Sequence, residues 1–279
     1  MTRPARLAVL GSPIAHSRSP RLHAAAYGVL GLDWQYEAVD VTGDALPGFL
    51  ASRDTDWLGL SLTMPLKRDV LPLLASVDDT ARLTGGANTV LFDRSPNGLA
   101  LRGFNTDVFG ITEAFTEAGI GALESVRILG GGATAASALL AVHRLGARRV
   151  LVSLRSPEKA RPLVALGSAL GVLVEVGALG DPDAGTPDAV VSTLPGHSET
   201  AVHIPREVRE RSVLFDVAYD PWPSPLAVSW NEVGGVVVSG LEMLLHQALA
   251  QVRVFVNGAP DVPLADEAAV LAAMRASIV

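Results

Sequence analysis

The sequence contains no cysteine among its 279 residues. Disulfide bonds, thiol nucleophiles, iron–sulfur clusters and thiolate zinc sites are therefore excluded, and the composition fits a reducing compartment. Charged residues are also few, at 18%, and aromatic residues make up 5%, whereas hydrophobic residues reach 49% and the mean hydropathy is +0.34. Such a chain folds into compact domains, and its length favours two of them.

Long hydrophobic runs are absent as well. No apolar stretch reaches the roughly 18 residues that crossing a bilayer requires, and the apolar segment after the basic start is too short for a signal peptide because Gly11 and Pro13 end it. We therefore expect a cytoplasmic protein. The 22 basic residues are outnumbered by 29 acidic ones, which argues against nonspecific nucleic-acid binding. The expected partner is a small molecule, not nucleic acid or a membrane, and the expected state is a monomer or homodimer.

Short β-type runs alternate with helix-like segments in two successive stretches of the chain. The first stretch begins with the strand LAVLG, and the second begins with SVRILGGG at residue 125. This alternation predicts an α/β protein whose two lobes are built on mostly parallel sheets, with a ligand crevice beyond the strand ends. The segment Asp107–Gly119 predicts a helix joining the two lobes.

Three local patterns refine this outline. Ser19-Pro20 predicts a helix start with Ser19 as the N-cap, and Gly31 predicts the C-cap of the same helix. The runs NTVLFDR and LALRGFN around Pro96-Asn97-Gly98 predict an antiparallel hairpin. The segments PLKRDVLPLLASV and SPEKARPLVALGSALG predict further helices.

A glycine-rich loop, Gly130-Gly131-Gly132-Ala133-Thr134-Ala135, lies between a predicted strand and a predicted helix. Missing side chains let a pyrophosphate approach the backbone, and the helix start offers free N–H groups. The next strand ends in Leu154-Arg155-Ser156, where NAD-binding proteins usually have an acidic residue. Because Arg155, Ser156 and Lys159 suit a 2′-phosphate, we predict a Rossmann domain that binds NADP. On the residues alone, a tight turn and a solvated basic helix start remain alternatives.

Four polar clusters stand at the ends of predicted strands in and around the first lobe. They are GSPIAHSRSP at residues 11–20, SLTMPLK at 61–67, GANT at 86–89 and NTD at 105–107. The carboxyl ends of neighbouring parallel strands face one crevice, so these clusters are expected to converge. Taken in order with GGGATA, YDPWP and GLEMLLHQ, they resemble the shikimate dehydrogenase family over nearly the whole chain.

The resemblance implies the reversible reduction of 3-dehydroshikimate to shikimate by NADPH, in the aromatic amino-acid pathway. It implies a substrate-binding domain at residues 1–106, completed by the C-terminal helices of residues 241–279, and a Rossmann NADP-binding domain at residues 107–240. The implied catalytic pair is Lys67 and Asp107. The implied substrate contacts are Ser17, Ser19, Thr63, Asn88, Tyr219 and Gln247. The implied cofactor contacts are Gly130, Gly131, Gly132, Ala133, Thr134, Arg155, Ser156, Lys159, Val217, Gly240 and Met243.

The chemistry of the catalytic pair agrees with these roles. Hydride transfer to a ketone develops negative charge on its oxygen, and a lysine ammonium stabilises that charge and delivers a proton. Taken alone, each residue also has a structural interpretation: Lys67 as a solvated cation, Asp107 as a helix cap, and Met243 as core. The histidines show no metal-ligand spacing, so no metal is predicted, and His16 is given no catalytic role.

Two departures from the family pattern bear on the cofactor. Leu154-Arg155-Ser156 replaces the family's Asn-Arg-Thr, and Ala133 stands where a further glycine is common. Three alternatives to shikimate dehydrogenase stay open: a quinate or aminoshikimate dehydrogenase, a folate-pathway methylene dehydrogenase, and a noncatalytic ligand-binding paralogue. Ser17 and Ser19 favour a ligand with a carboxylate, but they do not distinguish between rings with different numbers of hydroxyl groups. The pair of Lys67 and Asp107 disfavours a noncatalytic role.

Overall fold

The computed structural model describes residues 5–95, 98–181, 185–196 and 202–278. The strands, in chain order, are β1 Arg6–Gly11, β2 Gln35–Asp40, β3 Trp57–Leu62, β4 Ser76–Val77, β5 Thr89–Ser95, β6 Gly98–Phe104, β7 Ser125–Leu129, β8 Arg149–Leu154, β9 Leu173–Ala178, β10 Ala189–Ser192, β11 Val213–Asp216 and β12 Val237–Ser239. The α-helices are α1 Ser19–Leu30, α2 Leu46–Ala51, α3 Leu66–Asp69, α4 Asp79–Thr84, α5 Asp107–Glu117, α6 Ala133–Arg144, α7 Arg161–Leu170, α8 Arg206–Arg211, α9 Pro225–Asn231, α10 Gly240–Asn257 and α11 Glu267–Ala276.

The chain divides into two compact units. Unit 1 comprises Met1–Thr106 and Leu244–Val279, and unit 2 comprises Asp107–Met243. Within the described residues, no helix of either unit combines the length and the apolar content that a membrane crossing requires.

The sheet of unit 1 is mixed. Its strand order is β2-β1-β3-β5-β6-β4, and the pairings of β1 with β2, β1 with β3 and β4 with β6 are parallel. Strands β5 and β6 form the predicted antiparallel hairpin, with Thr89 opposite Phe104. Pro96 and Asn97 of the predicted turn lie outside the described residues. The prediction of a mostly parallel sheet is confirmed, since, of the strands in the described residues, β5 alone runs against the others and pairs antiparallel with both β3 and β6.

Helix α10 packs closely on this sheet at a glycine. A Cβ atom on Gly59 of β3 would lie 2.5 Å from the ring of Phe255, so this position requires a residue without a side chain. Leu10, Leu60 and Val90, from three adjacent strands, are fully buried in the core beneath the sheet. Burial of these side chains supplies the main free energy that holds the unit together.

Unit 2 has an all-parallel sheet. Its strand order is β12-β11-β10-β7-β8-β9. Numbered from β7 and read from the β9 edge, this is the 3-2-1-4-5-6 order of the Rossmann fold. Ile128, Leu139 and Val152 are fully buried between β7, α6 and β8. The predicted Rossmann architecture is therefore confirmed.

Two predicted helices are shorter than the sequence suggested. PLKRDVLPLLASV forms α3, a 3₁₀ turn at Leu71–Leu73 and the strand β4. Pro72 lacks an N–H group and cannot continue an α-helix, which accounts for the break. In SPEKARPLVALGSALG, a 3₁₀ turn at Pro157–Ala160 precedes α7.

Candidate active site

The loops after β1 and β3 lie against each other in unit 1. The Ser12 N–H donates to the Met64 carbonyl over 3.1 Å, and the Thr63 N–H donates to the Leu10 carbonyl over 2.9 Å. A Cβ atom on Gly11 would overlap the Thr63 side chain, so glycine permits this close approach. Two of the predicted clusters, at residues 11–20 and 61–67, are therefore neighbours.

Ser17 and Ser19 lie at the start of α1, and the prediction that Ser19 is the N-cap of this helix is wrong. Helix α1 begins at Ser19 itself, Arg18 occupies the N-cap position, and no side chain caps the helix there. Instead, the Ser17 hydroxyl accepts a bond of 3.3 Å from the Ser19 N–H. Ser19 has helical backbone geometry, which is why it is not an N-cap residue. The predicted C-cap at Gly31 is confirmed, with φ of 67°.

Lys67 is tied to the segment that contains Asn88. It lies in the four-residue helix α3, and its carbonyl accepts a bond of 2.8 Å from the Ala87 N–H. The Leu62 N–H donates to the Asn88 carbonyl over 2.7 Å, which joins the loops on the two adjacent strands. The cluster at residues 86–89 thus lies beside the cluster at residues 61–67.

The buried Asn88 amide joins the last cluster of unit 1 to α10. Its Nδ2 donates to Thr106 Oγ1 over 2.9 Å and to Gln247 Oε1 over 3.2 Å, while its Oδ1 accepts from the Thr106 N–H over 2.9 Å. Thr106 Oγ1 is 3.0 Å from the Gln247 carbonyl and donates to it. Asp107, the first residue of α5 and of unit 2, follows Thr106 in the chain and is 2% exposed. The predicted convergence of the polar clusters within unit 1 is therefore present.

The glycine loop of unit 2 is open at its helix end. Gly130 has φ of +114°, a conformation that favours glycine, and a Cβ atom on Gly131 would lie 2.6 Å from Leu154 Cδ2. Gly132 precedes α6 in the N-cap position, and among the described residues nothing apart from the adjoining backbone lies within 4 Å of where its Cβ would be. Ala133 and Thr134 begin the helix, so their N–H groups are among those left without helical partners. This loop can accept a phosphate group through its backbone.

Two cations follow β8 at the same end of the sheet. Arg155 and Lys159 are exposed, Ser156 is half-buried, and the Lys159 N–H donates to the Ser156 carbonyl over 3.0 Å. In the described part of the chain, neither cation has an ion pair with a carboxylate. The three side chains are therefore available to an anionic ligand.

The segment after β11 contains the remaining predicted residues of unit 2. The Val217 N–H donates to the Ser192 carbonyl over 3.0 Å, and a Cβ atom on Gly240 would overlap the Val217 carbonyl. Tyr219 is half-buried two residues beyond Val217. Met243 is 7% exposed and packs in the hydrophobic core of unit 2.

Asp216 organises this segment, although the sequence patterns did not single it out. Its Oδ1 accepts from the Ala218 N–H over 3.2 Å, and its Oδ2 accepts from the Ser224 hydroxyl, which also caps α9. Burial raises the pKa of this carboxyl, whereas its hydrogen bonds with Ser224, Ala218 and Ser192 oppose the rise. Asp216 ends β11 at the edge where the glycine loop follows β7, and this position at the strand end was the available sequence signal.

Comparisons with known proteins agree with this architecture. The model of the shikimate dehydrogenase substrate binding domain matches residues 9–90. A shikimate dehydrogenase (NADP(+)) from Anaeromyxobacter sp. (strain Fw109-5) is 35% identical, and the match covers 99% of both chains. The crystal structure of Mycobacterium tuberculosis shikimate dehydrogenase is 39% identical and has a TM-score of 0.81, covering 98% of this chain and 100% of that one.

A third match has bound ligands, and a fourth is much longer than this chain. The structure of shikimate 5-dehydrogenase from Thermus thermophilus in complex with NADP(H) and shikimate is 32% identical, with a TM-score of 0.80 over 98% of this chain and all of that one. The pentafunctional AROM polypeptide of Schizosaccharomyces japonicus is 31% identical over 90% of this chain, which spans 17% of its length. The sequence identity over full-length relatives and the shared fold together show that this chain belongs to the shikimate dehydrogenase family.

Proposed function

We propose that this protein catalyses the reversible, NADPH-dependent reduction of 3-dehydroshikimate to shikimate. The main support is that unit 1 brings together Ser17, Thr63, Lys67 and Asn88 on neighbouring loops, in the order that the family pattern requires. The relative from Anaeromyxobacter has this activity in its name, and the Thermus thermophilus structure contains NADP(H) and shikimate. We further propose a cytoplasmic location, which the absence of cysteine fits.

The proposed cofactor site is the edge of unit 2 where β7 and β8 end. The loop at Gly130–Gly132 fits a pyrophosphate, because backbone N–H groups at the start of α6 are available and no side chain of the described residues lies within 4 Å of where a Cβ on Gly132 would be. Arg155, Ser156 and Lys159 suit the 2′-phosphate, and Leu154 provides no carboxylate that would repel it. Val217, Gly240 and Met243 are assigned to the nicotinamide side. When bound, NADPH is the source of the hydride.

The proposed substrate contacts divide according to the chemistry of the ligand. The hydroxyls of Ser17 and Ser19 donate hydrogen bonds to the ring carboxylate. Thr63, Asn88, Tyr219 and Gln247 contact the ring and its hydroxyl groups.

Lys67 is the proposed proton donor. As the carbonyl carbon accepts the hydride, the carbonyl oxygen takes up negative charge, and the Lys67 ammonium stabilises this charge and transfers a proton to it. The product alcohol results, and the neutral amine regains a proton from solvent. Asp107 holds the ammonium in place and accepts a hydrogen bond from a substrate hydroxyl. In the oxidative direction the same lysine acts as the base.

A steady-state assay with shikimate or quinate, and with NADP or NAD, tests the proposal directly. We expect shikimate with NADP to give the highest kcat/KM. A higher kcat/KM for quinate would establish the quinate alternative, and the absence of turnover by folded protein with every pair would refute the dehydrogenase function.

Substitution of Lys67 tests the proposed mechanism. Lys67→Ala should lower kcat by about 10²- to 10⁴-fold, the usual contribution of a positioned acid or base, while calorimetry still detects shikimate binding. The exposed neighbour Arg68 provides a matched control, and Arg68→Ala should leave kcat within about twofold of the original value. If Lys67→Ala retained full turnover, the assigned proton donor would be wrong.

A further inference from the structure

A buried network of polar side chains surrounds Gln251 of α10. Gln251 is 1% exposed, and its Oε1 lies 2.8 Å from Ser61 Oγ and 3.2 Å from His23 Nε2. Its Nε2 lies 3.1 Å from the carbonyl oxygen of Asn88. Tyr36 donates to Ser61 Oγ over 2.6 Å, and the Tyr36 ring stacks on His23 with the ring centroids 3.9 Å apart. The four side chains belong to four elements, α10, β3, α1 and β2.

The Asn88 carbonyl determines how the Gln251 amide is oriented. A carbonyl oxygen accepts hydrogen bonds only, so the amide group facing it must be the NH₂ group. The Gln251 oxygen therefore faces Ser61 and His23, and both must donate to it. His23 thus has its proton on Nε2, and its Nδ1 accepts from the Tyr27 hydroxyl over 3.0 Å. Each hydrogen bond in the network has a single allowed direction.

The side chain of Asn88, whose carbonyl accepts from Gln251, uses both of its amide hydrogens in hydrogen bonds. One Nδ2 hydrogen is given to Thr106 Oγ1 and the other to Gln247 Oε1, while Oδ1 accepts from the Thr106 N–H and from the Thr89 hydroxyl over 2.9 Å. The orientation of Gln247, and of the backbone that leads into Asp107, therefore depends on the position of Asn88, which immediately precedes β5. Gln251 contacts the chain there, at the Asn88 carbonyl.

We propose that Gln251 is a positioning residue for the substrate site, acting through the carbonyl of Asn88 to fix Asn88, Gln247 and Thr106. This inference rests on the proposed function, because Asn88 and Gln247 are the assigned substrate contacts. Gln251 itself touches no substrate. The hydroxyls of Ser61 and Tyr36 and the imidazole of His23 hold the Gln251 oxygen, so that its NH₂ group is directed at Asn88.

Two substitutions of Gln251 test this role. Gln251→Leu removes the donor to Asn88 and should raise the KM for shikimate about tenfold, as expected for loss of a buried hydrogen bond, with the KM for NADP unchanged. Gln251→Glu keeps the shape of the side chain and replaces its NH₂ group by a carboxyl oxygen. When protonated, the introduced carboxyl donates to the Asn88 carbonyl, whereas the ionised carboxylate directs lone pairs at it. The KM of Gln251→Glu for shikimate should therefore rise with pH relative to that of the original protein.

The groups that face Gln251 do not produce such a pH dependence in the original protein. Burial lowers the pKa of His23 to about 3, so His23 is neutral in the assay range. Burial raises the pKa of Tyr27 and of Tyr36, and both phenols stay protonated. The remaining contacts, from Ser61 and Asn88, do not titrate.

Arg253, two residues along the same helix, provides the control for a merely structural effect. Its side chain bonds to Glu267 and to the Pro260 carbonyl, neither of which belongs to the network around Gln251. Arg253→Met should lower the thermal midpoint and leave the KM for shikimate unchanged. If Gln251→Leu likewise lowers the midpoint with no change in either KM, and Gln251→Glu shows no pH dependence, the positioning role is refuted.

Hydrogen exchange provides a readout that does not depend on catalysis. Gln251→Leu should speed amide exchange at residues 86–89 and 104–107, and Arg253→Met should not. Unchanged exchange there would contradict the proposed geometry. If the wild-type protein does not turn over shikimate, but the two variants show the expected exchange pattern, the proposed function is refuted. The positioning of Asn88 by Gln251 is then still supported.

Discussion

Leu154 bears on how the proposed cofactor would be recognised. It ends β8 with 5% of its surface exposed, and it packs against Gly131 of the glycine loop. A buried aliphatic side chain neither accepts from ribose hydroxyls nor repels a phosphate. The proposed discrimination between NADP and NAD at this strand end is therefore assigned to Arg155, Ser156 and Lys159.

Replacement of Arg155 should weaken that discrimination. A charge-assisted bond to phosphate contributes about 1.5–3 kcal/mol, so Arg155→Gln should lower the ratio of kcat/KM for NADP over NAD by about 10- to 100-fold. Parallel assays with both cofactors measure this ratio. Arg148→Gln, at the opposite end of β8 and also exposed, should leave the ratio unchanged. An unchanged ratio in Arg155→Gln would remove Arg155 from the 2′-phosphate site.

Short motifs indicated the residues proposed to contact the ligands, whereas the buried network around Gln251 was not predictable from the sequence. Ser17, Thr63 and Lys67 stand in short patterns within the chain, so their chemistry is visible in the sequence. Gln251 bonds to Ser61 from 190 positions away and to His23 from 228 positions away. Only tertiary packing brings such pairs together, and a glutamine in an apolar helix gives no local sign of its partners.

At the scale of elements, length determined which helices were predictable. The long helices α1, α6 and α10 show helical periodicity, but α4, α8 and α9 span only six or seven residues. A periodicity signal needs a window of about 11 residues or more. Two of these short helices have a capping side chain instead: Asp78 accepts the Ala81 N–H over 2.7 Å at α4, and Ser224 accepts the Ala227 N–H over 3.0 Å at α9, whereas no side chain of the described residues caps α8.

A partly buried ion pair ties α10 to α11. Arg253 donates to both oxygens of Glu267, over 2.7 and 2.6 Å, and Glu267 Oε2 also accepts from the Leu264 N–H over 2.9 Å. The side chains of Arg253 and Glu267 are 11% and 24% exposed. The hydrogen bonds from Arg253 hold the pKa of the Glu267 carboxyl below its usual value. The carboxylate form is therefore the one that stabilises the fold.

Glu267→Gln should lower the free energy of unfolding by about 1–2 kcal/mol at neutral pH, as expected for loss of charge-assisted bonds. Because the folded pKa is lowered, this stabilisation is present above the unfolded pKa and is lost as pH falls through the folded pKa. Urea unfolding of both proteins at several pH values measures the difference. Glu158→Gln, at an exposed position, provides the control for replacing a carboxylate by an amide. A difference that stays constant down to low pH would contradict the role of the Glu267 charge.

At the scale of the whole molecule, each unit has its own core and its own candidate ligand loops. The core around Leu60 and Val90 belongs to unit 1, and the core around Ile128 and Val152 belongs to unit 2. Shikimate is assigned mainly to loops of unit 1, whereas the phosphates of NADP are assigned to loops of unit 2. Substitutions in the two sets of loops should therefore have separable effects on ligand binding.

Thermal unfolding with each ligand tests this separation. A ligand that binds only the native state stabilises it by about 2.7 kcal/mol at one hundred times its Kd, so shikimate and NADP should each raise Tm. Ser17→Ala combined with Ser19→Ala should abolish the shift with shikimate and retain the shift with NADP. Gly132→Ala places a methyl group in open space at the glycine loop, so it should abolish the shift with NADP alone. If either variant lost both shifts while its unliganded Tm matched the original, the assignment of each ligand to its own loops would be wrong.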